Sequence, residues 1–258
     1  MGHTGRVDWA PGYRELAPPD ALRGELHCLW VSVGPAAGGA QTRVLPDACT
    51  DLIWQSGVGV YVAGPDTGPA PTGSPAGSVF VGARFAPGAG GAALGVPLSE
   101  LLDRRVDGAD LAMVPARQLP GSLAPQEAMR RLARIAAQMV ADRPADQLVL
   151  EAARQLSRPG ARAELIAGQL SISERQLRRR CQAAVGYGPR MLHRVLRFRQ
   201  FVSLIDSAGG AADLAGVAAQ AGYADQAHLT RESSRLAGLP PGALARERAG
   251  VRERAGVR

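Results

Sequence analysis

The chain has 258 residues, 46% of them hydrophobic and 21% charged, enough apolar sequence to bury a core and too much for a wholly disordered chain. Its length suits one large or two smaller domains. All 30 basic residues are Arg and Lys is absent, so the formal +7 is permanent, and a lysine nucleophile, a Schiff base and a lysine-bearing phosphate loop are excluded.

No apolar run reaches the roughly 18 residues of a membrane span, and no signal-peptide stretch opens the sequence. Cys28, Cys49 and Cys181 are an odd number at wide spacing, neither a disulfide framework nor a metal knuckle. The expectation is a cytoplasmic protein with no membrane partner, metal or cofactor. Asn is also absent and Ala abundant, which fits a GC-rich bacterial genome.

In chain order, Leu26–Val33, Thr50–Gln55, 60–63 and Val79–Phe85 read as strands between turn signals. The Gly- and Pro-rich 64–77 reads as a loop. Gly88, Gly90 and Ala93 match a dinucleotide fingerprint, but Pro87 breaks the strand-to-helix passage and no βαβ unit surrounds it. Cys49 sits beside Asp47 and Asp51, whose carboxylates raise a thiol pKa, so it reads as a buried Cys rather than a sensor. His27, Trp30, Trp54, Tyr61 and Phe85 form core under the plain reading. In an open barrel they are the candidates for lining a small-molecule pocket. HExxH, GxSxG and paired-Cys patterns are missing, and no enzyme is expected.

From Pro125 the pattern turns helical. Residues 126–141 place Met129, Leu132, Ile135, Ala136 and Met139 on one stripe, suited to packing between domains or to a dimer. Pro144 suits the first turn of a helix running to Leu156, which Pro159 and Gly160 end. The charge shifts at the same place. Residues 1–125 hold 8 Arg against 11 acids, net −3, and residues 126–258 hold 22 Arg against 12, net +10. A near-neutral front joined to a basic back suggests a regulatory module joined to a polyanion binder.

Two helix-turn-helix patterns lie in the basic half. The first is a short helix at 164–170, Ser173 as N-cap with Gln176 closing a capping box, and a helix at 174–184. That helix presents Arg175, Gln176, Arg178 and Arg179 around Leu177 and Cys181. The second is a short helix at 213–221, a turn at Gly222, and a helix capped by Asp225 that presents Gln226, Ala227, His228 and Arg231. Ser173 and Asp225 are 52 residues apart, as are Leu177 and Leu229. A helix at 190–206 joins the units. Arg offers a fork to guanine and Gln to adenine in the major groove, and a rigid spacer sets two such helices about one DNA turn, roughly 34 Å, apart. Arg158, Arg162, Ser173, Arg190, Arg194 and Arg197 are candidate phosphate contacts.

The stretches SERQLRRR (173–180), VGYGP (185–189), AGYADQAHLTR (221–231) and AGLPP (237–241) resemble the double helix-turn-helix domain of the AraC/XylS transcription regulators. The resemblance spans 144–246. It implies a seven-helix domain whose recognition helices enter consecutive major-groove segments, with Arg175, Arg178 and Arg179 base-facing in the first and Gln226, Ala227, His228 and Arg231 in the second. Three departures stand out. The span from Ala167 to Ser173 is one residue shorter than that from Ala218 to Asp225, and Ser171 stands where the family often has Gly. Cys181 and Ser233 replace core Phe, and Ser233 in particular predicts a looser second unit. RVLPDACTDLIWQ (43–55), VGARFAP (81–87) and LGVPLSELLD (94–103) resemble the N-terminal domain that precedes this module in many actinobacterial proteins.

The expected fold class is thus α+β: a β-rich, cupin-like sensory domain (1–125), a linker helix (126–143), an all-α double helix-turn-helix domain (144–246), and a flexible tail (247–258) in which ERAGVR occurs twice. The expected function is sequence-specific DNA binding in transcription regulation, with duplex DNA as partner. An unidentified small-molecule effector, RNA polymerase and a second copy of the chain are further candidates. The competing expectation is a small-molecule sensor with weakened DNA binding.

Overall fold

The computed structural model describes residues 9–36, 41–73, 75–208 and 213–255. In the N-terminal part, β1 (Gly12–Leu16), β2 (Leu26–Val33), β4 (Thr50–Gln55), β5 (Gly59–Ala63), β7 (Val79–Phe85) and β8 (Arg105–Asp107) form one antiparallel sheet in the order β1-β2-β7-β4-β5-β8. β3 (Gln41–Val44) and β6 (Ala70–Gly73) form a separate two-stranded ribbon, so the predicted 64–77 loop contains a strand.

Side chains alternate across a strand, so each face has its own residues. The inner face carries Val31, Leu52, Trp54, Val62, Val81 and Phe85, all buried. It is covered by α2 (Pro125–Asp142) through Met129, Leu132, Ile135, Ala136 and Met139, with α1 (Gly90–Leu94) at one end. The helical stripe of α2 therefore completes the N-terminal core rather than linking domains or waiting for a second copy. The sheet ends at β1 and β8 and does not close on itself. Its inner face is filled by side chains, unlike an open barrel.

On the outer face Trp30 opposes Gly82 across β2 and β7. A Cβ on Gly82 would lie 2.0 Å from Trp30 Cε2, so the indole lies flat on the glycine backbone. Trp30 Nε1 donates to Asp51 Oδ1 at 2.7 Å, and Arg84 Nε donates to the same oxygen at 3.1 Å.

Helices α3 (Gln147–Leu156), α4 (Ala163–Gln169), α5 (Glu174–Val185), α6 (Pro189–Ala208), α7 (Leu214–Gln220), α8 (Gln226–Ala237) and α9 (Pro241–Ala255) make up the C-terminal part. Their common core includes Leu156, Leu177, Cys181, Val195, Phe198, Phe201, Leu229 and Leu236. α3 begins later than Pro144 suggests, because Asp146 caps it, accepting from the Leu148 N–H at 3.0 Å. The expected flexible tail is helical through residue 255 as the end of α9. Arg248 of α9 pairs with Asp206, and Glu247 with Arg43 at 3.5 Å.

The two halves pack closely. A Cβ on Gly91 of α1 would lie 2.8 Å from the Ala183 carbonyl of α5, and one on Gly186 would lie 2.8 Å from Pro65 Cγ. The Gly88-Gly90-Ala93 pattern thus serves packing, since Gly90 likewise abuts Thr50 at 2.9 Å. Near α8, Gly238 meets Arg43 and Pro69. On α6, Arg199 Nη2 donates to His27 Nε2 at 2.9 Å. Ala48, on a loop of the N-terminal part, is buried within the helical core.

Candidate nucleic-acid interface

Two helix-turn-helix units flank α6 in the chain, α4–α5 before it and α7–α8 after it. In the first, the Ser171 N–H donates to the Gly168 carbonyl and the Ile172 N–H to that of Ala167. In the second, the Gly222 N–H donates to the Ala219 carbonyl and the Tyr223 N–H to that of Ala218. The two turns are thus the same, related by 51 residues. Ser171 takes the left-handed conformation (φ 54°) that Gly222 (φ 80°) adopts without steric cost. The caps, Ser173 and Asp225, are related by 52 residues. The extra residue is Ala224, between Tyr223 and the cap, so the length difference lies after the turn.

Both second helices are built alike. α5 and α8 each have 12 residues, a side-chain N-cap and a left-handed glycine C-cap, Gly186 or Gly238. Ser173 Oγ accepts from the Gln176 N–H at 3.2 Å, and Gln176 Oε1 accepts from the Ser173 N–H at 2.8 Å. Asp225 Oδ1 accepts from the His228 N–H at 2.6 Å.

The predicted contact residues separate into free and committed groups. Arg175, Arg178 and Arg179 project from α5, exposed, with no carboxylate partner among the described residues. Gln226, Ala227 and Arg231 project likewise from α8. The Gln176 oxygen is taken by the cap, which leaves its amide as a donor and removes the two-point fork to adenine. His228 turns inward: its ring stands edge-on to Tyr223 with centroids 5.3 Å apart, and Nε2 lies 3.3 Å from Arg197 Nη2. Sequence reasoning grouped His228 with the base readers because its spacing is right. The signal against it is Arg197, 31 residues away on α6.

The phosphate candidates divide in the same way. Arg158 and Arg162 are exposed and line one groove with Gln155 and Gln169. Arg190 is exposed, with Glu164 at 3.5 Å. Ser173 uses its hydroxyl in the cap. Arg194 and Arg197 point instead into the protein. Arg194 holds Glu232 through two hydrogen bonds of 2.8 Å, and Arg197 lies over the Tyr223 ring at 4.5 Å.

Ser233 finds a polar partner in the second unit. It is fully buried, and its hydroxyl donates to the Leu239 carbonyl at 2.7 Å, tying α8 to the chain beyond its glycine cap. A satisfied buried hydroxyl avoids the cost of an unpaired polar group, though it does not replace the packing of an aromatic anchor.

The proposed pocket residues do not converge. Trp54 and Phe85 lie in the inner core, where Trp54 Nε1 donates to the Pro120 carbonyl at 2.9 Å. Trp30 and Tyr61 are on the outer face, and His27 faces α6. Cys49 is buried; burial and then Asp47 push its thiol well above its ordinary pKa, as its neighbours predict. No helix among the described residues is long and apolar enough to cross a membrane.

Residues 14–107 match a domain of unknown function, DUF6597, and residues 166–247 match a helix-turn-helix domain. No curated protein matches the chain. Among solved structures, ToxT from Vibrio cholerae O395 is 12% identical, covering 86% of this chain and 98% of that one, at a TM-score of 0.45. Unsaturated fatty acid-bound wild-type ToxT from Vibrio cholerae strain SCE256 is 13% identical over 84% and 94%, at a TM-score of 0.42. A likeness at this level carries nothing about ligand or mechanism. The helix-turn-helix match falls on the repeated, glycine-ended units just described, so residues 166–247 are a helix-turn-helix domain of the AraC type.

Proposed function

We propose that the chain reads two consecutive major-groove segments of one DNA site, α5 entering the first and α8 the second. The observation that carries this is the repetition: two capped helices of equal length, each with free polar side chains near its N-terminus, one before and one after α6 in the chain. Arg175, Arg178 and Arg179 read bases from α5, and Gln226, Ala227 and Arg231 from α8. Arg158, Arg162 and Arg190 grip phosphates and set the register without specifying sequence.

Residues 9–142 act as the regulatory unit, coupled to the reader through the packed contacts at Gly91, Gly186, Gly238 and His27. Selection of bound DNA from a pool of random-core duplexes tests the reading. Two enriched segments about one turn apart support it. Enrichment of no sequence, or of one segment alone, overturns it.

A further inference from the structure

α6 and α8 meet through a buried polar junction that DNA reading, as proposed, does not use. Glu232 is on α8 next to the exposed Arg231, yet it is only 9% exposed. Arg194 Nε donates to Glu232 Oε2 and Arg194 Nη2 to Oε1, both at 2.8 Å. Arg197 Nη2 lies 3.9 Å from Oε2, and its guanidinium sits over the Tyr223 ring. Tyr223 in turn stands edge-on to Phe201 of α6 with centroids 6.4 Å apart. Two α6 arginines, one turn apart, thus converge on one α8 carboxylate and on the turn that precedes α8.

Geometry gives this junction more than a packing role. His228 and Glu232 are four residues apart and share one face of α8. Both touch α6 arginines, so the rotation of α8 about its own axis is pinned at two points one turn apart. Arg231, adjacent to Glu232, is thereby held outward. A bidentate guanidinium–carboxylate pair fixes direction as well as distance, which a point charge does not. Burial alone pushes the Glu232 carboxyl up. The Arg194 hydrogen bonds and the charges of Arg194, Arg197 and His228 outweigh it and hold the group below the ordinary glutamate range. The carboxylate stays ionised and the fork stays closed. The first unit has a different support: α5 packs on α1 through Gly91, and Arg180 pairs with Asp146.

We infer that Glu232 is a positioning residue, clamped by Arg194 and Arg197, that sets the angle at which α8 presents its readers. This rests on the two-segment reading proposed above.

The test is selection from the random-core duplex pool with the full chain and two variants, Glu232→Gln and Arg194→Lys. Lys keeps the charge opposite Glu232, and so the fold, but cannot make the fork. Melting of each variant is recorded beside its base preferences. The expected result is preference weakened by roughly tenfold at the segment read by α8, the scale of one bidentate contact, with that of α5 unchanged. Arg194→Lys should melt close to wild type. Unaltered preference at both segments in Arg194→Lys overturns the clamp, and so does equal loss at both, which marks a general loosening of the domain rather than a fixed α8. If the wild-type chain enriches no sequence, the two-segment reading itself falls and takes the clamp with it.

Discussion

Arg199 of α6 donates to Nε2 of His27 on β2, across 172 residues of sequence and across the contact between the two halves. An acceptor Nε2 means that the imidazole is neutral, with its proton on Nδ1. Burial first, and Arg199 second, hold the His27 pKa below its ordinary 6.5, against the opposing pull of Glu15 and Asp47.

The sign of the pH dependence follows. A base whose pKa is depressed by folding binds fewer protons folded than unfolded, so its contribution is present above pH 6.5 and fades as pH falls through that value toward the lower folded pKa. Thermal melting from about pH 7.5 down to about pH 5.5 should show a loss of stability that is smaller in His27→Gln. An equal acid loss in the two proteins would assign it to other groups.

Arg179 is exposed on α5 and has no carboxylate partner among the described residues. Arg179→Ala should weaken binding to a selected site by about 1–3 kcal/mol and relax base choice at one position. Titrations at several salt concentrations separate the roles. A phosphate contact lowers affinity for all sequences alike and reduces the salt slope by about one unit.

Ser171 holds a left-handed backbone at φ 54° in the first turn, where the equivalent residue of the second unit is Gly222. A side chain there costs about 1 kcal/mol. Glycine removes that strain but adds freedom to the unfolded chain. Ser171→Gly should therefore stabilise the protein by roughly 0.5 kcal/mol, while Gly222→Ser should destabilise it. Denaturant unfolding of the two variants checks both signs.

Gly91 packs against the backbone of α5, 2.8 Å from the Ala183 carbonyl to a built Cβ. Because the obstacle is backbone, it does not swing aside as a side-chain tip does. Gly91→Val should cost about 1–3 kcal/mol and speed amide exchange at residues 183–187, while the core behind Trp54 stays protected. Uniform loss of protection would place the damage in the sheet instead.

Much of the architecture was legible in the residues. Leu26–Val33, Thr50–Gln55 and Val79–Phe85 are strands with the bounds their alternation implies. They carry long apolar runs, and all three are interior strands of the sheet. β1, β3, β6 and β8 escaped because they are three to five residues long and mostly polar or small. Their pairing is a tertiary fact. Caps Ser173 and Asp225 were readable because capping chemistry is local. What Arg194 and Arg197 do was not readable. An arginine on an exposed helix and one aimed at a buried glutamate look the same in sequence, and only the crossing of α6 and α8 decides between them. The contact of His228 with Arg197 is hidden for that reason, and that of Ser233 because its partner, the Leu239 carbonyl, is backbone and leaves no sequence mark.

Under the two-segment reading proposed above, equal helices in equal frames, carrying different side chains, give the reader a direction. α5 offers three free arginines, and α8 offers Gln226, Ala227 and Arg231. Both units run the same way along one chain, so a site matched to them has no dyad. One copy seated on such a site faces one way only, and turning the site around in front of a gene would turn the N-terminal half to the other side.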